Sequence, residues 1–393
     1  MTHAPATSAA AIPITVCRGC GSRRLTRVLD LGEQPACDHF PPVDDPAPDP
    51  RWPLALTMCA DCALVQLDHV SPAPEEPLAV ESATLKNHAR DASRTVLSRL
   101  GLPPGSTVRE FASHHGGSWV AELTAAGCVV LDGATAHGGT AGDGRADLVV
   151  DNQSIIHAED LEAQLAQRVA ALADDGVLVI EFHHALQQLV QGQFDTARHG
   201  HPLSFSLTSW ANACRRHGLE VVDAWPEDVF GGCLIVAARR AGRGSVHCDV
   251  ADILAREREA GVTNPERYTE LDRLRRRTSA DFVAHLERAR SAGRRVVAYG
   301  AGSKACTLLG VTGVGADLLP MVADLSPAKH GRRVPGVGIP IVSPEELVAV
   351  APDEVMILTW DIAAEVIAQL RAMGLTGARF FVPLPRLAEL TPA

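Results

Sequence analysis

ADLVVDNQSIIHAEDLEAQLAQRVAALADDGVLVIEF, residues 146–182, places a polar-faced segment between two apolar runs. ADLVVDN and GVLVIEF each read as a buried strand, and HAEDLEAQLAQRVAALADDG between them as a helix. A strand, a helical crossover and a second strand make parallel neighbours in one sheet. The same alternation extends in both directions. Upstream, KNHARDASRTVLSRLG (86–101) has the periodicity of an amphipathic helix. STVREFASHHGGSWVAELTAAG (106–127) gives a strand, a glycine-containing turn and a helix, and CVVLD (128–132) a further strand. Downstream, LTSWANACRRHGLEVVDAWP and CLIVAARR continue the pattern. The fold expected is α/β, a doubly wound Rossmann-like sheet, with ligands at the carboxyl ends of the strands.

At 393 residues the chain is too long for one compact core. Three units are expected: an N-terminal tail and cysteine domain over 1–78, the α/β domain over 79–242, and a second Rossmann-like domain over 243–393. Apolar residues make up 46%, enough for packed interiors. Net charge is −11, with basic residues spread along helical stretches such as 266–277, which argues against a nucleic-acid binder. No apolar run reaches the roughly 18 residues of a membrane span. The first residues lack the basic-then-apolar layout of a signal peptide, so a floppy tail and a cytoplasmic protein are expected.

Ten cysteines in a reducing compartment point to metal rather than disulfides. Cys17 and Cys20 form one CxxC knuckle, and Cys59 and Cys62 another. Two such turns complete a tetrahedral four-thiolate zinc site, structural because every coordination position is filled by protein. Cys37, Asp38 and His39, between the knuckles, are candidates for a loop near substrate.

In the third unit, VVAYGAGSKAC (296–306) is again a strand, a glycine turn and a helix start. Amides after Gly302, together with Lys304, would suit a diphosphate. Asp324 closes the next strand where a ribose is often held, and Lys329, Arg332 and Arg333 border a glycine/proline loop.

Sixteen histidines include the pairs His114/His115 and His183/His184, and the near pair His199/His201. Adjacent residues in extended chain face opposite ways, so each adjacent pair offers one site only one ligand. A histidine acting as general base is chemically natural near neutral pH. Glu181, at the carboxyl end of its strand, stands where this fold keeps site residues.

Taken together, CRGCGSRRLTRVLDLGEQP with the later CADC, ADLVVDNQSIIHAEDLE, DDGVLVIEF, QFDTARHGHPLSFSL, VFGGCLIV and VVAYGAGSKACTLLG resemble the zinc-containing deoxysugar C-methyltransferases. These S-adenosylmethionine (SAM) enzymes of antibiotic biosynthesis methylate dTDP-4-keto-6-deoxy sugars at C3. The resemblance covers nearly the whole chain in order. It implies SAM near Glu110, Gly116, Asp132 and Asn152. It also implies a dTDP-sugar near Tyr299, Gly300, Gly302, Lys304, Asp324, Lys329 and Arg332. The chemistry would fall to His201 as base, with His199, Arg198 and Glu181 around it.

The chain departs from the family pattern where that chemistry belongs. The family's cofactor turn resembles E-I-G-x-N-D-G, whereas residues 110–116 read EFASHHG. A further helix and strand expected before ADLVV are replaced by the glycine-rich ATAHGGTAGDGR, and Gly133 takes the place of the residue expected at the ribose beside Asp132. In F-D-T-I-Y-H-E-H-x-x-Y-F-S, Arg198 stands for the first tyrosine, Gly200 for the glutamate and Ser204 for the second tyrosine, while His199 and His201 match. Phe230 replaces the histidine of a His-Gly-Gly, and the only tyrosines, Tyr268 and Tyr299, lie downstream. Three readings stay open on sequence: a divergent sugar C-methyltransferase, a SAM-independent epimerase, isomerase or dehydratase on the same scaffold, and a non-catalytic ligand- or partner-binding homologue.

Overall fold

The computed structural model of the protein describes residues 10–76, 78–113, 116–131 and 144–390. Asp132, His114, His115 and the loop 134–143 lie outside them.

The cysteine knuckles bracket an antiparallel hairpin, Leu25–Pro35 against Arg51–Cys59. Val65–Leu67 adds a third strand, and Leu203–Ser204 adds the fourth from far along the chain, pairing Leu203 with Gln66 and Ser204 with Val65. The zinc module is therefore tied to the segment that follows His199 and His201.

The central sheet is the one its apolar runs predict. Val129–Val130, Thr107–Ala112, Ala146–Asn152 and Leu172–His183 lie side by side and parallel. Cys233–Arg240 and Leu219–Glu227 extend it antiparallel. Leu148, Val149, Val150, Val177, Val179 and Ile180 are fully buried because helices cover both faces, so these strands lack the polar alternation of a half-exposed sheet. Among the described residues Val129–Val130 is the edge on this side. Helix Ala83–Leu100 is started by Ser82, whose hydroxyl accepts from the Leu85 amide, and ended by Gly101 in the left-handed region.

The C-terminal sheet runs Ile341–Val342, Val322–Ala323, Val296–Tyr299, Glu354–Ile357 and Arg379–Val382 in parallel, with Ala388–Leu390 antiparallel at the edge. Its order reverses at Val296–Tyr299, so the crevice of this sheet opens above that strand. Helix Cys248–Ala260 buries Val250 and Ile253 in the central core, so that packing unit runs past residue 243 to about 260.

Candidate active site

The four sulfurs of Cys17, Cys20, Cys59 and Cys62 lie within 4.8 Å of one another. The Cys17–Cys62 and Cys20–Cys59 separations are 3.5 and 3.6 Å. A tetrahedron of sulfurs at about 2.3 Å from zinc has edges of about 3.8 Å. The amides of Gly19 and Asp61 point at the sulfurs of Cys17 and Cys59, at 3.3 and 3.4 Å, as thiolate acceptors require. The donor set fits one structural zinc ion.

Away from the zinc site, one cleft of about 280 Å³ joins the two Rossmann-like units. Ser113, Gly116, Gly117 and Asn152 line one end, at the carboxyl edge of the central sheet, and Gly302, Ser303, Lys304 and Ala305 the other, at the start of helix Ser303–Thr312. Between them sit His88, His157, Glu181, His183, Asp195, Arg198 and His201. The His201 ring packs edge-on against His157 at 4.8 Å and tilted against His183 at 5.6 Å.

Arg198 organises the middle of the cleft. Its Nη1 pairs with Asp38 Oδ2 at 3.1 Å and also donates to the Ser303 hydroxyl, which in turn donates to Asp38 Oδ1 at 2.6 Å. Its Nη2 donates to His201 Nε2. An arginine N–H can donate only to an unprotonated ring nitrogen, so the contact is made to the Nε2 lone pair. Burial, with Lys304 and Arg198 close by, holds His183 well below the usual imidazole range.

Glu181 is 1% exposed, and its Oε1 meets His88 Nε2 at 2.7 Å. Burial alone would depress His88, but the hydrogen bond and charge of Glu181, with Glu227 beyond, raise it overall. Glu181 Oε2 is buried without a hydrogen-bond partner among the described residues. Asp195 is equally buried, accepts from the Trp360 indole at 3.0 Å, and is pushed up to about 6 by burial against the opposing pull of Lys304.

Six residues expected at the site do not line it, each for a packing reason. His199 turns away, its Nε2 at 3.3 Å from the Trp52 carbonyl and its ring edge-on to that indole. Glu110 serves the turn, accepting from the Ser118 hydroxyl at 2.5 Å and the Trp119 amide at 2.6 Å. The Tyr299 hydroxyl donates to Gln369 Oε1 at 2.9 Å. Gly300 faces Thr359, whose Cγ2 lies 2.5 Å from where a Cβ would stand. Asp324 accepts from the Ala301 and Ser326 amides, and Arg332 pairs with Glu76 at 3.0 Å. Lys304 and Lys329 do line the cleft, each already held. Lys304 pairs with Asp361 at 2.9 Å, and Lys329 donates to the Ala301 carbonyl at 2.8 Å.

Three family models match the chain in order. They are a zinc binding domain over residues 17–76, a methyltransferase domain over 68–224, and a C-methyltransferase C-terminal domain over 228–385. The chain is 31% identical to the C-methyltransferase NovU of Streptomyces niveus, over 95% of this chain and 96% of that one. The chain belongs to the zinc-containing C-methyltransferase family. It is accordingly a transferase by family.

Among solved structures, the 1,6-didemethyltoxoflavin-N1-methyltransferase of Burkholderia thailandensis, with bound S-adenosylhomocysteine, is 18% identical over 46% of this chain and 96% of its own, at a TM-score of 0.30. The magnesium protoporphyrin IX methyltransferase of Synechocystis PCC 6803 is 14% identical over 42% of this chain and 90% of its own, at 0.29. Scores of that size carry no argument about the site.

The glycine turn that follows strand Thr107–Ala112 leaves room for close approach to its backbone. Gly116 and Gly117 adopt φ of +97° and +82°, and the Asn152 side-chain amide donates to the Gly117 carbonyl. A Cβ on Gly117 would stand 3.1 Å from Asn152 Nδ2. Sequence reasoning missed His88, His157 and Asp195 as site residues, because each gains its place through partners far along the chain. The alternation of adjacent residues did carry a signal for His183. That ring enters the cleft, while His184 turns to the other side and is buried against Glu257 at 2.7 Å.

Proposed function

We propose that this chain is a SAM-dependent C-methyltransferase of nucleotide-linked keto-deoxysugars, with a dTDP-sugar as the substrate class. One observation carries the reading: a single cleft runs from the glycine turn of the central sheet, past a histidine cluster, to a helix start in the C-terminal domain. A cofactor at one end and a nucleotide at the other would bring a sugar ring against His201.

In this reading His201 takes the proton from the carbon beside the ketone. Its Nε2 is masked by Arg198 in the free protein. A ketone oxygen that accepts the Arg198 N–H instead frees Nε2 and places a cation beside the growing enolate charge. Asp38 and Ser303 hold the guanidinium in place during that exchange. Gly116, Gly117 and Asn152 would hold SAM, which when bound supplies an electrophilic methyl group to the enolate carbon. Lys304 and the amides after Gly302 would face the diphosphate.

Calorimetric titration with SAM and with dTDP, each alone, tests the two ends of the cleft. Methyl transfer from labelled SAM to keto-deoxysugar nucleotides tests the whole. Absence of SAM binding at millimolar ligand would overturn the reading. The shortness of segment 131–145 favours one alternative, a SAM-independent keto-sugar isomerase. Solvent deuterium entering beside the ketone without any SAM binding would identify it.

A further inference from the structure

Gly200 lies between His199 and His201, and it is not empty space that a side chain there would meet. A Cβ on Gly200 would fall 1.2 Å from Glu75 Oε1 and 2.4 Å from its Cδ. The carboxyl group of Glu75 thus occupies the volume that a residue at 200 would fill. Gly200 carries no positive-φ requirement that would otherwise call for glycine. What stands in the way of a side chain there is the carboxyl end of Glu75.

Glu75 reaches this place from a segment that is itself anchored. The next residue, Glu76, receives His39 Nδ1 at 2.8 Å and Arg332 at 3.0 Å, and its amide donates to the Asp38 carbonyl at 2.9 Å. Asp38 is the residue that pairs with Arg198. Two carboxylates from the zinc-module side therefore flank the base-bearing loop, Asp38 at Arg198 and Glu75 at Gly200. Burial holds His199 below the usual imidazole range, opposed by the backbone at Trp52 and Pro53 and, less, by the charge of Glu75.

We propose that Glu75 is the positioning carboxylate of the 198–201 loop, inserted from the zinc-module side into the place of a side chain at 200, where it fixes the loop so that His201 projects into the cleft. The catalytic part of this statement rests on the proposed methyl transfer through His201. The placement of Glu75 does not.

A reciprocal exchange tests it, using the full chain in four forms: Gly200→Glu, Glu75→Gly, the double variant, and Glu75→Gln. Gly200→Glu alone puts two carboxyl groups into one volume, so its melting midpoint falls, and the double variant recovers the parent midpoint. For methyl transfer, Glu75→Gly lowers kcat about tenfold or more with KM little changed, and the double variant returns kcat to within about threefold of the parent. Glu75→Gln keeps the shape and removes the charge, so it melts like the parent yet loses kcat, which mere space-filling would not produce. A Gly200→Glu protein that melts like the parent, or a double variant whose defects are the sum of the singles, overturns the proposal. The melting comparison needs no turnover. It decides the placement of Glu75 even if no sugar tested is methylated, so failure of the methyltransferase reading shows separately as an inactive parent.

Discussion

Asp195 is a carboxyl with one settled oxygen and one unsettled. Oδ2 accepts the Trp360 indole N–H, while Oδ1 is buried without a hydrogen-bond partner among the described residues. Burial raises the group from 3.8 to about 6, which corresponds to about 3 kcal/mol between its two protonation states. Because the folded value lies above the unfolded one, the folded state binds the proton more tightly, and stability from this group is lost as pH rises from about 4 through 6. Asp195→Asn keeps an acceptor for Trp360 and has no proton to lose. Its melting midpoint relative to the parent should therefore improve steadily between pH 4 and 7, read by a pH series of thermal melts. A constant difference across that range would refute the assignment. At the same scale, Arg198 serves Asp38, Ser303 and His201 at once through a planar fork that lysine lacks. Arg198→Lys should lower kcat by about a hundredfold while leaving SAM affinity unchanged, measured by turnover and calorimetry on the same preparation.

Among elements, the strand–turn–helix from Thr107 to Ala125 shows what could be read in advance and what could not. The apolar runs identified the strands, since residues such as Val149 and Ile180 are buried on a sheet covered on both faces. The knuckle spacing identified the zinc ligands, because two CxxC turns restrict the geometry locally. The family resemblance implies SAM near Glu110, whereas its carboxylate accepts from Ser118 and Trp119 in shaping the turn. The Glu181–His88 contact spans 93 residues, and no local spacing announces it. Periodicity reports which face of an element is buried, whereas side-chain partnerships across the cleft depend on how elements meet. The turn itself makes a test. Gly117→Ala must hold an L-residue at φ +82° with its Cβ 3.1 Å from Asn152 Nδ2, at a cost of about 1–2 kcal/mol. SAM affinity should fall about tenfold by calorimetry while dTDP binding is unaffected, and equal loss of both would show a global defect instead.

For the molecule as a whole, the zinc module is mechanically continuous with the proposed base loop. Strand Arg51–Cys59 carries a zinc ligand at its last residue, and near its first residue the Trp52 carbonyl meets His199. Strand Val65–Leu67, just beyond the second knuckle, pairs with Leu203–Ser204 immediately after His201. Asp38, from the loop between the knuckles, grips Arg198. The four thiolates hold two of these three connections in register, so a zinc ion bound there would act on the cleft without touching it. A structural zinc site contributes folding energy outright, and without metal the thiolates repel or reprotonate. Chelation should therefore release about one zinc per chain, as a colorimetric chelator would read, and methyl transfer should fall in step with zinc lost. The proposed SAM site lies at the glycine turn of the central sheet, whose strands pair with one another among the described residues. It should persist in chelated protein longer than activity does. If SAM binding and turnover decay together, the module supports the whole fold and not the base loop in particular; if turnover survives complete loss of zinc, the proposed coupling through Trp52, Leu203 and Asp38 is wrong.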